Sequence, residues 1–194
     1  MNIIFDFDGT VCDSFSKAVE LANDYLIKHR FDSITTSDLR DKGIKKLIEE
    51  RKLSLLQKIG LVRLARREAA KYINQFDTFS GLPEVLKELQ KKNNLGILTS
   101  NSRQNAERFL ENHNLREVFD FVYSNSNLFG KDKMLKKIHA DMYIGDETRD
   151  IEAAKKAGIK SIAVIWGYES KNLLKKSKPD FLINEPMDLI RIIK

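Results

Sequence analysis

A chain of 194 residues, 42% hydrophobic and 32% charged, is long enough to bury a core without disulfide staples and too apolar to read as disordered. Its one cysteine, Cys12, excludes an intrachain disulfide and a zinc site made of thiolates alone. The net charge of +6 favours anionic partners, and no apolar run approaches the roughly 18 residues that cross a membrane.

Residues 2–7, NIIFDF, predict a buried strand: short, apolar, β-prone and broken by Asp8-Gly9-Thr10. The apolar run Ile3-Ile4-Phe5 stops at Asp6, far short of a signal-peptide core, so the chain is expected to be cytoplasmic. From 14 to 30, Phe15, Val19, Ala22 and Leu26 recur on one helical face. Thr35-Thr36-Ser37 offers an N-cap for a second helical stretch, which Gly43 interrupts and which then continues to about Phe76. Between Arg51 and Lys71 seven basic residues stand against one acidic residue, Glu68. Such a run either attracts anions or is simply a solvated helix face. The whole of 13–80 reads as helical.

At Gly81 the texture changes. Gly81-Leu82-Pro83 is a turn with Pro opening a helix to about Lys92. Leu95–Thr99 follows as a strand, and Ser102 caps a helix that ends near His113. A strand at Phe119–Tyr123, a helix at Asp132–Ile138 and a strand at Met142–Ile144 come next. Ile151–Ala157 is a helix closed by Gly158. Lys160–Ile165 is a strand, Lys171–Lys175 a short helix, Phe181–Ile183 a last strand and Leu189–Ile193 a terminal helix. Alternating strand and helix means a parallel sheet with helices on both faces. Strand 2–7 must join it, because alone it cannot bury itself. The expected fold is α/β: a Rossmann-like doubly wound parallel sheet from residues 1–12 and 81–194, with an all-α block, 13–80, inserted after the first strand.

Ligands of open parallel sheets sit beyond the carboxyl ends of the strands. Those ends carry Asp6-Phe7-Asp8-Gly9-Thr10, Thr99-Ser100-Asn101 and Gly145-Asp146-Glu147-Thr148-Arg149-Asp150, with Gly130-Lys131 ahead of a helix. Carboxylates at Asp6, Asp146 and Asp150 suit a hard cation such as Mg²⁺. Lys131 adds positive charge, and Ser100 with nearby backbone N–H groups offers donors to phosphoryl oxygens. One carboxylate can attack phosphorus and a second, two residues on, can protonate the leaving oxygen. Asp6 and Asp8 share a strand face and can reach one phosphate. Two acids in an apolar strand context rarely serve packing, since burying unpaired charge is costly. His29, His113 and His139 show no metal spacing, Cys12 reads as a small half-buried residue, and Trp166 as packing.

D-F-D-G-T-V-C-D-S, then a strand ending in Thr/Ser, a lysine and G-D-E-T-R-D-I-E-A-A-K-K-A-G, resembles the haloacid dehalogenase-like hydrolase superfamily along the whole chain. The subgroup is similar to phosphoglycolate phosphatase-like enzymes with a helical cap. The resemblance implies an Mg²⁺-dependent phosphatase acting on a small phosphorylated metabolite through an aspartyl-phosphate. Asp6 would be nucleophile and metal ligand, and Asp8 general acid/base and a ligand through its carbonyl. Ser100, with Thr99 as alternate, would hold the phosphoryl group. Lys131, with Lys133 as alternate, would neutralise charge, and Asp146 and Asp150 would hold the metal. Thr10 would orient the first loop, and Thr10, Thr99 and Asn101 would line the substrate. The 13–80 block would be a cap that closes over the site. Within it, Lys42-Gly43 is a candidate specificity turn, and Lys58, Arg63 and Arg67 are candidates to reach the far end of an anionic substrate.

A signalling receiver domain also gathers acids, a hydroxyl and a lysine, but its acceptor aspartate ends the third strand and it has no place for 13–80. A dehalogenase would not need Asp8. A phosphomutase uses the same pair. A nucleic-acid-binding protein with vestigial carboxylates is a further alternative, disfavoured because the basic run lacks interleaved aromatics. Neither the substrate's identity nor the oligomeric state is legible.

Overall fold

The structure, a computed structural model, describes residues 1–124 and 130–193, excepting the side chains of Lys45, Val62, Ala65, Arg66 and Ala69. Six strands form one parallel sheet: β1 (Asn2–Phe5), β2 (Asn94–Thr99), β3 (Phe121–Ser124), β4 (Met142–Gly145), β5 (Lys160–Val164) and β6 (Phe181–Ile183), in the order β3-β2-β1-β4-β5-β6. β1 pairs with β2 on one side, Ile3 opposite Leu95, and with β4 on the other, Ile3 opposite Met142. The order reverses at β1, which opens a crevice beyond its carboxyl end.

The strands read as unbroken apolar runs because both faces are covered. Ile3 and Phe5 point to one face. There they meet Leu86 of α4 (Leu82–Gln90), Phe109 of α5 (Arg103–Asn112) and Leu189 of α9 (Asp188–Ile192). Ile4, one residue out of phase, faces the other side with Leu98 and Tyr143, under Leu135 of α6 (Lys131–Lys137) and Ala153 and Ala154 of α7 (Thr148–Ala157). Gly158 ends α7 in the left-handed conformation, φ 78°.

Between β1 and α4 the described elements are helical. α1 (Phe15–Lys28), α2 (Thr36–Glu50) and α3 (Leu55–Tyr72) enclose a separate apolar cluster that includes Phe15, Val19, Leu26, Leu39 and Leu47. Where the chain leaves and re-enters the sheet, the two connections lie side by side: the Asp13 N–H donates to the Asp77 carbonyl at 2.9 Å, and Cys12 bridges to Thr78.

The helical pattern from Thr36 to Phe76 is broken where the sequence reading ran it through. At Gly43, φ 73°, α2 is kinked as expected. A second break falls at 51–54, with Lys52 left-handed at φ 50° and Ser54 capping α3 in a reciprocal box with Gln57. The Arg51 guanidinium donates to the carbonyls of Asp32 and Ser33, which holds the end of α2 in place. α8 (Lys171–Lys176) lies between β5 and β6 and packs against α2.

Candidate active site

Asp6 directly follows β1. Its N–H donates to the Ile144 carbonyl of β4 at 2.8 Å, which extends the strand pairing by one residue and fixes where the side chain emerges. The Phe7 N–H turns back to Asp6 Oδ1 at 2.8 Å. Gly9 then turns the chain at φ 78°. A Cβ at that position would overlap the Asp146 carboxylate and the Tyr168 ring, so only glycine fits. Thr10 donates its hydroxyl to Asp146 Oδ1 at 2.8 Å, and the Tyr168 N–H donates to Asp146 Oδ2 at 2.7 Å. Trp166 clamps the same loop from above, its indole N–H on the Thr10 carbonyl at 3.2 Å.

One oxygen each of Asp6, Asp146 and Asp150 lie within 4.8 Å of one another, and all three residues are buried. The Lys131 ammonium stands 3.0 Å from Asp6 Oδ2 and 2.8 Å from Asp150 Oδ1, and donates to the Tyr143 hydroxyl at 2.7 Å. Asp150 spends its second oxygen on the Glu147 N–H at 3.2 Å, which caps α7. Arg149 pairs with Glu147 beside it.

Burial pushes the Asp6 carboxyl up to about 7, against the pull of Lys131. Burial and the neighbouring Glu147 and Asp6 push Asp146 well above the ordinary carboxylate range. Burial acts to lower Lys131, but Asp150 and Asp6 outweigh it and the ammonium is held charged. Ionising all three carboxylates beside one ammonium would leave two negative charges uncompensated in a desolvated pocket, which is why Asp6 and Asp146 resist ionisation there. A divalent, oxygen-seeking cation is what that donor set fits.

Asp8 reaches the rim. Its Oδ1 accepts from Ser14 Oγ at 2.9 Å and its Oδ2 from the Asn101 amide at 3.2 Å. Burial raises its pKa, opposed by those two hydrogen bonds. Thr99 is fully buried and its hydroxyl accepts the Asn101 N–H at 2.9 Å, closing the turn after β2. Ser100, half-buried, is the next residue outward at that turn.

A family model for haloacid dehalogenase-like hydrolases matches residues 3–164. The chain belongs to that family. A phosphoglycolate phosphatase of Synechococcus elongatus is 34% identical to this hydrolase over 98% of this chain and 96% of its own length. A phosphoglycolate phosphatase of Aquifex aeolicus is 26% identical over 98% and 95%. In three dimensions, a haloacid dehalogenase-like hydrolase from Streptococcus pneumoniae superposes with a TM-score of 0.77 over 100% of this chain and 98% of its own, at 23% identity. This hydrolase is a phosphatase of the phosphoglycolate phosphatase-like kind.

Asp6, Asp8, Thr10, Thr99, Ser100, Asn101, Lys131, Asp146 and Asp150 all lie at the rim or pocket beyond β1, β2 and β4. Lys133, one turn surface away, is exposed, whereas Lys131 is buried between the acids. The four basic residues of the helical block are not drawn in. Lys42 pairs with Asp38 and Glu50, Arg67 with Glu68; Arg63 is exposed and Lys58 half-buried. Among the described residues none of the four bonds to the carboxylate cluster. The reading of Trp166 as packing is incomplete, because its N–H also grips the loop after β1.

Sequence reasoning missed Tyr143, Ser14, Tyr168 and Glu169. Tyr143 sits within an apolar strand and looks like core. Tyr168 and Glu169 follow the carboxyl end of β5, where the same strand-end rule points. Glu169 is buried against the start of α7, accepting the Thr148 N–H at 2.6 Å, and burial beside Glu147 pushes its carboxyl up to about 8.

Proposed function

We propose that this hydrolase is an Mg²⁺-dependent phosphomonoesterase that removes the phosphoryl group of a small phosphorylated metabolite through an aspartyl-phosphate at Asp6. The observation that carries the reading is the pairing of a buried Asp6, held 3.0 Å from Lys131, with Asp8 two residues on at the mouth of the same crevice. Asp6, Asp146 and Asp150 would hold the cation. When bound, Mg²⁺ supplies the positive charge that lets an anionic phosphate approach carboxylates.

The rest falls to the chain's own groups. Asp6 attacks phosphorus while the ester P–O bond breaks and Asp8 gives its proton to the leaving alcohol. Asp8, now a carboxylate, takes a proton from water. The water oxygen bonds to phosphorus, the bond to Asp6 breaks, and phosphate leaves with Asp6 regenerated. The raised pKa of Asp8 favours the protonated form that the first step needs. Lys131 stays charged throughout and screens Asp6 from the incoming phosphate. Ser100, the next residue outward from Thr99 beyond β2, is our candidate for contact with the phosphoryl oxygens. The kinship with the Synechococcus and Aquifex phosphatases supports phosphoglycolate as the first substrate to try.

Borohydride treatment of enzyme quenched during turnover tests this directly. An acyl phosphate at Asp6 is reduced to homoserine, which peptide mass spectrometry reads at position 6. An unmodified position 6 in turning-over enzyme would exclude the covalent route. A panel of phosphorylated metabolites ranked by kcat/KM then identifies the substrate.

A further inference from the structure

Ser14 sits at the N-cap of α1, a position where serine normally accepts a hydrogen bond from the first turn, worth about 1 kcal/mol. Here it makes no such cap bond. The hydroxyl is buried and committed elsewhere, 2.9 Å from Asp8 Oδ1 on one side and 2.9 Å from the Tyr168 hydroxyl on the other. Serine has a single proton to donate. Given to Asp8 Oδ1, which can accept it while Oδ2 carries the acid proton, it leaves Tyr168 as the donor to Ser14. The direction of the chain is therefore Tyr168 to Ser14 to Asp8.

Tyr168 is itself held at several points. Its N–H donates to Asp146, its ring meets Phe15 of α1 edge-on at 5.3 Å, and it lies against Gly9, where a Cβ would strike it. Arg40 of α2 donates to the carbonyl of the preceding Gly167 at 2.9 Å and stacks over Phe15 at 4.3 Å. The Ser170 N–H donates to the Arg40 carbonyl at 2.7 Å. One residue thus touches the backbone loop of the nucleophile, a carboxylate of the cation pocket and the seat of the helical block.

The geometry points to Tyr168 as a positioning residue, whose hydroxyl fixes Ser14 in the rotamer that holds Asp8 in place for proton transfer. This rests on the reading of Asp8 as general acid. Without the Tyr168 hydroxyl, one of the two contacts that fix the Ser14 hydroxyl is lost, while α1 loses no cap bond because Ser14 makes none. A purely structural tyrosine would behave the opposite way.

The test compares kcat/KM for p-nitrophenyl phosphate, whose leaving group needs little protonation, with that for phenyl phosphate, whose leaving group needs more. The variants are Tyr168→Phe, Ser14→Ala, their double and Asp8→Asn. Tyr168→Phe and Ser14→Ala should each lose about five- to tenfold on phenyl phosphate, the scale of one hydrogen bond, and about twofold or less on the nitro ester. The double variant should be no worse than Ser14→Ala alone, because the two act in series. The melting temperature of Tyr168→Phe should stay near wild type. If Asp8→Asn steepens the leaving-group dependence and Tyr168→Phe does not, Tyr168 has no positioning role and the reading of Asp8 stands. Equal loss on both esters with a lowered melting temperature also overturns the proposal. If Asp8→Asn leaves the ratio unchanged, the acid assignment falls and takes this inference with it.

Discussion

Asp6 depends on Lys131 for its burial, whereas Lys131 has a second acid, Asp150, to pair with. Asp6→Asn keeps the shape and removes the carboxylate we propose as nucleophile, so turnover should vanish while the circular dichroism spectrum and melting temperature stay near wild type. Lys131→Met removes the ammonium that pairs with both Asp6 and Asp150. Leaving buried charge unpaired costs about 3–5 kcal/mol, so this variant should be both inactive and much less stable by urea denaturation. Asp8→Asn should fall roughly 10²-fold or more in kcat, the usual worth of acid–base catalysis; near-native rates would remove Asp8 from the mechanism. Residues of this kind were legible because their types are wrong for where the pattern puts them: acids in or beside apolar strands. Tyr143 and Ser14 were not, because a tyrosine in a strand and a serine before a helix are ordinary. What makes them unusual is a partner far away in the chain, and no local pattern encodes that.

At the scale of elements, two joints can be tested apart from catalysis. The α2 kink places Gly43 in the left-handed region against the Glu169 carboxylate, with no room for a methyl group. Gly43→Ala should cost about 1–3 kcal/mol, read from the urea midpoint. Asp180 ties β5 to the turn before β6, accepting the Ser161 N–H and hydroxyl, each at 2.9 Å. Those bonds, first the backbone one, hold its carboxyl below the usual range. A lowered folded pKa means the contribution is present above the ordinary carboxylate value and is lost as pH falls through the folded one. Asp180→Asn should therefore destabilise by about 1–2 kcal/mol at pH 7 and by little near pH 3. Element types were readable because hydrophobic period, caps and glycines agree along β1, β2, α5 and α7. The break at 51–54 was not, because the apolar spacing carries on across it. Its marker was the Ser54–Gln57 pair, a local signal weaker than the periodicity it interrupts.

Across the molecule, the helical block and the sheet keep separate apolar clusters, joined by the paired connections at Asp13 and Asp77 and by the loop that carries Tyr168. A small, separate core opens at lower free energy than a large one. Native-state hydrogen exchange should show α1–α3 opening well before β1, β2 and β4; one common opening energy for all of them would mean that the block does not behave as a cap. If Mg²⁺ binds the acids beyond the sheet, the melting temperature should rise with the logarithm of its concentration above the dissociation constant, and Asp146→Asn should abolish the rise.

The strand order has a consequence for how such a protein comes into being. β1 is synthesised first, yet its pairing with β4 joins residues 139 positions apart. On a ribosome the opening segment must wait, one edge open, until most of the polypeptide has emerged. Contacts of such long range form slowly, and an unpaired edge is open to aggregation meanwhile. Nascent chains halted before residue 142 should show no activity at all, not even a fraction, since the carboxylates assemble only with the closing of the sheet's middle.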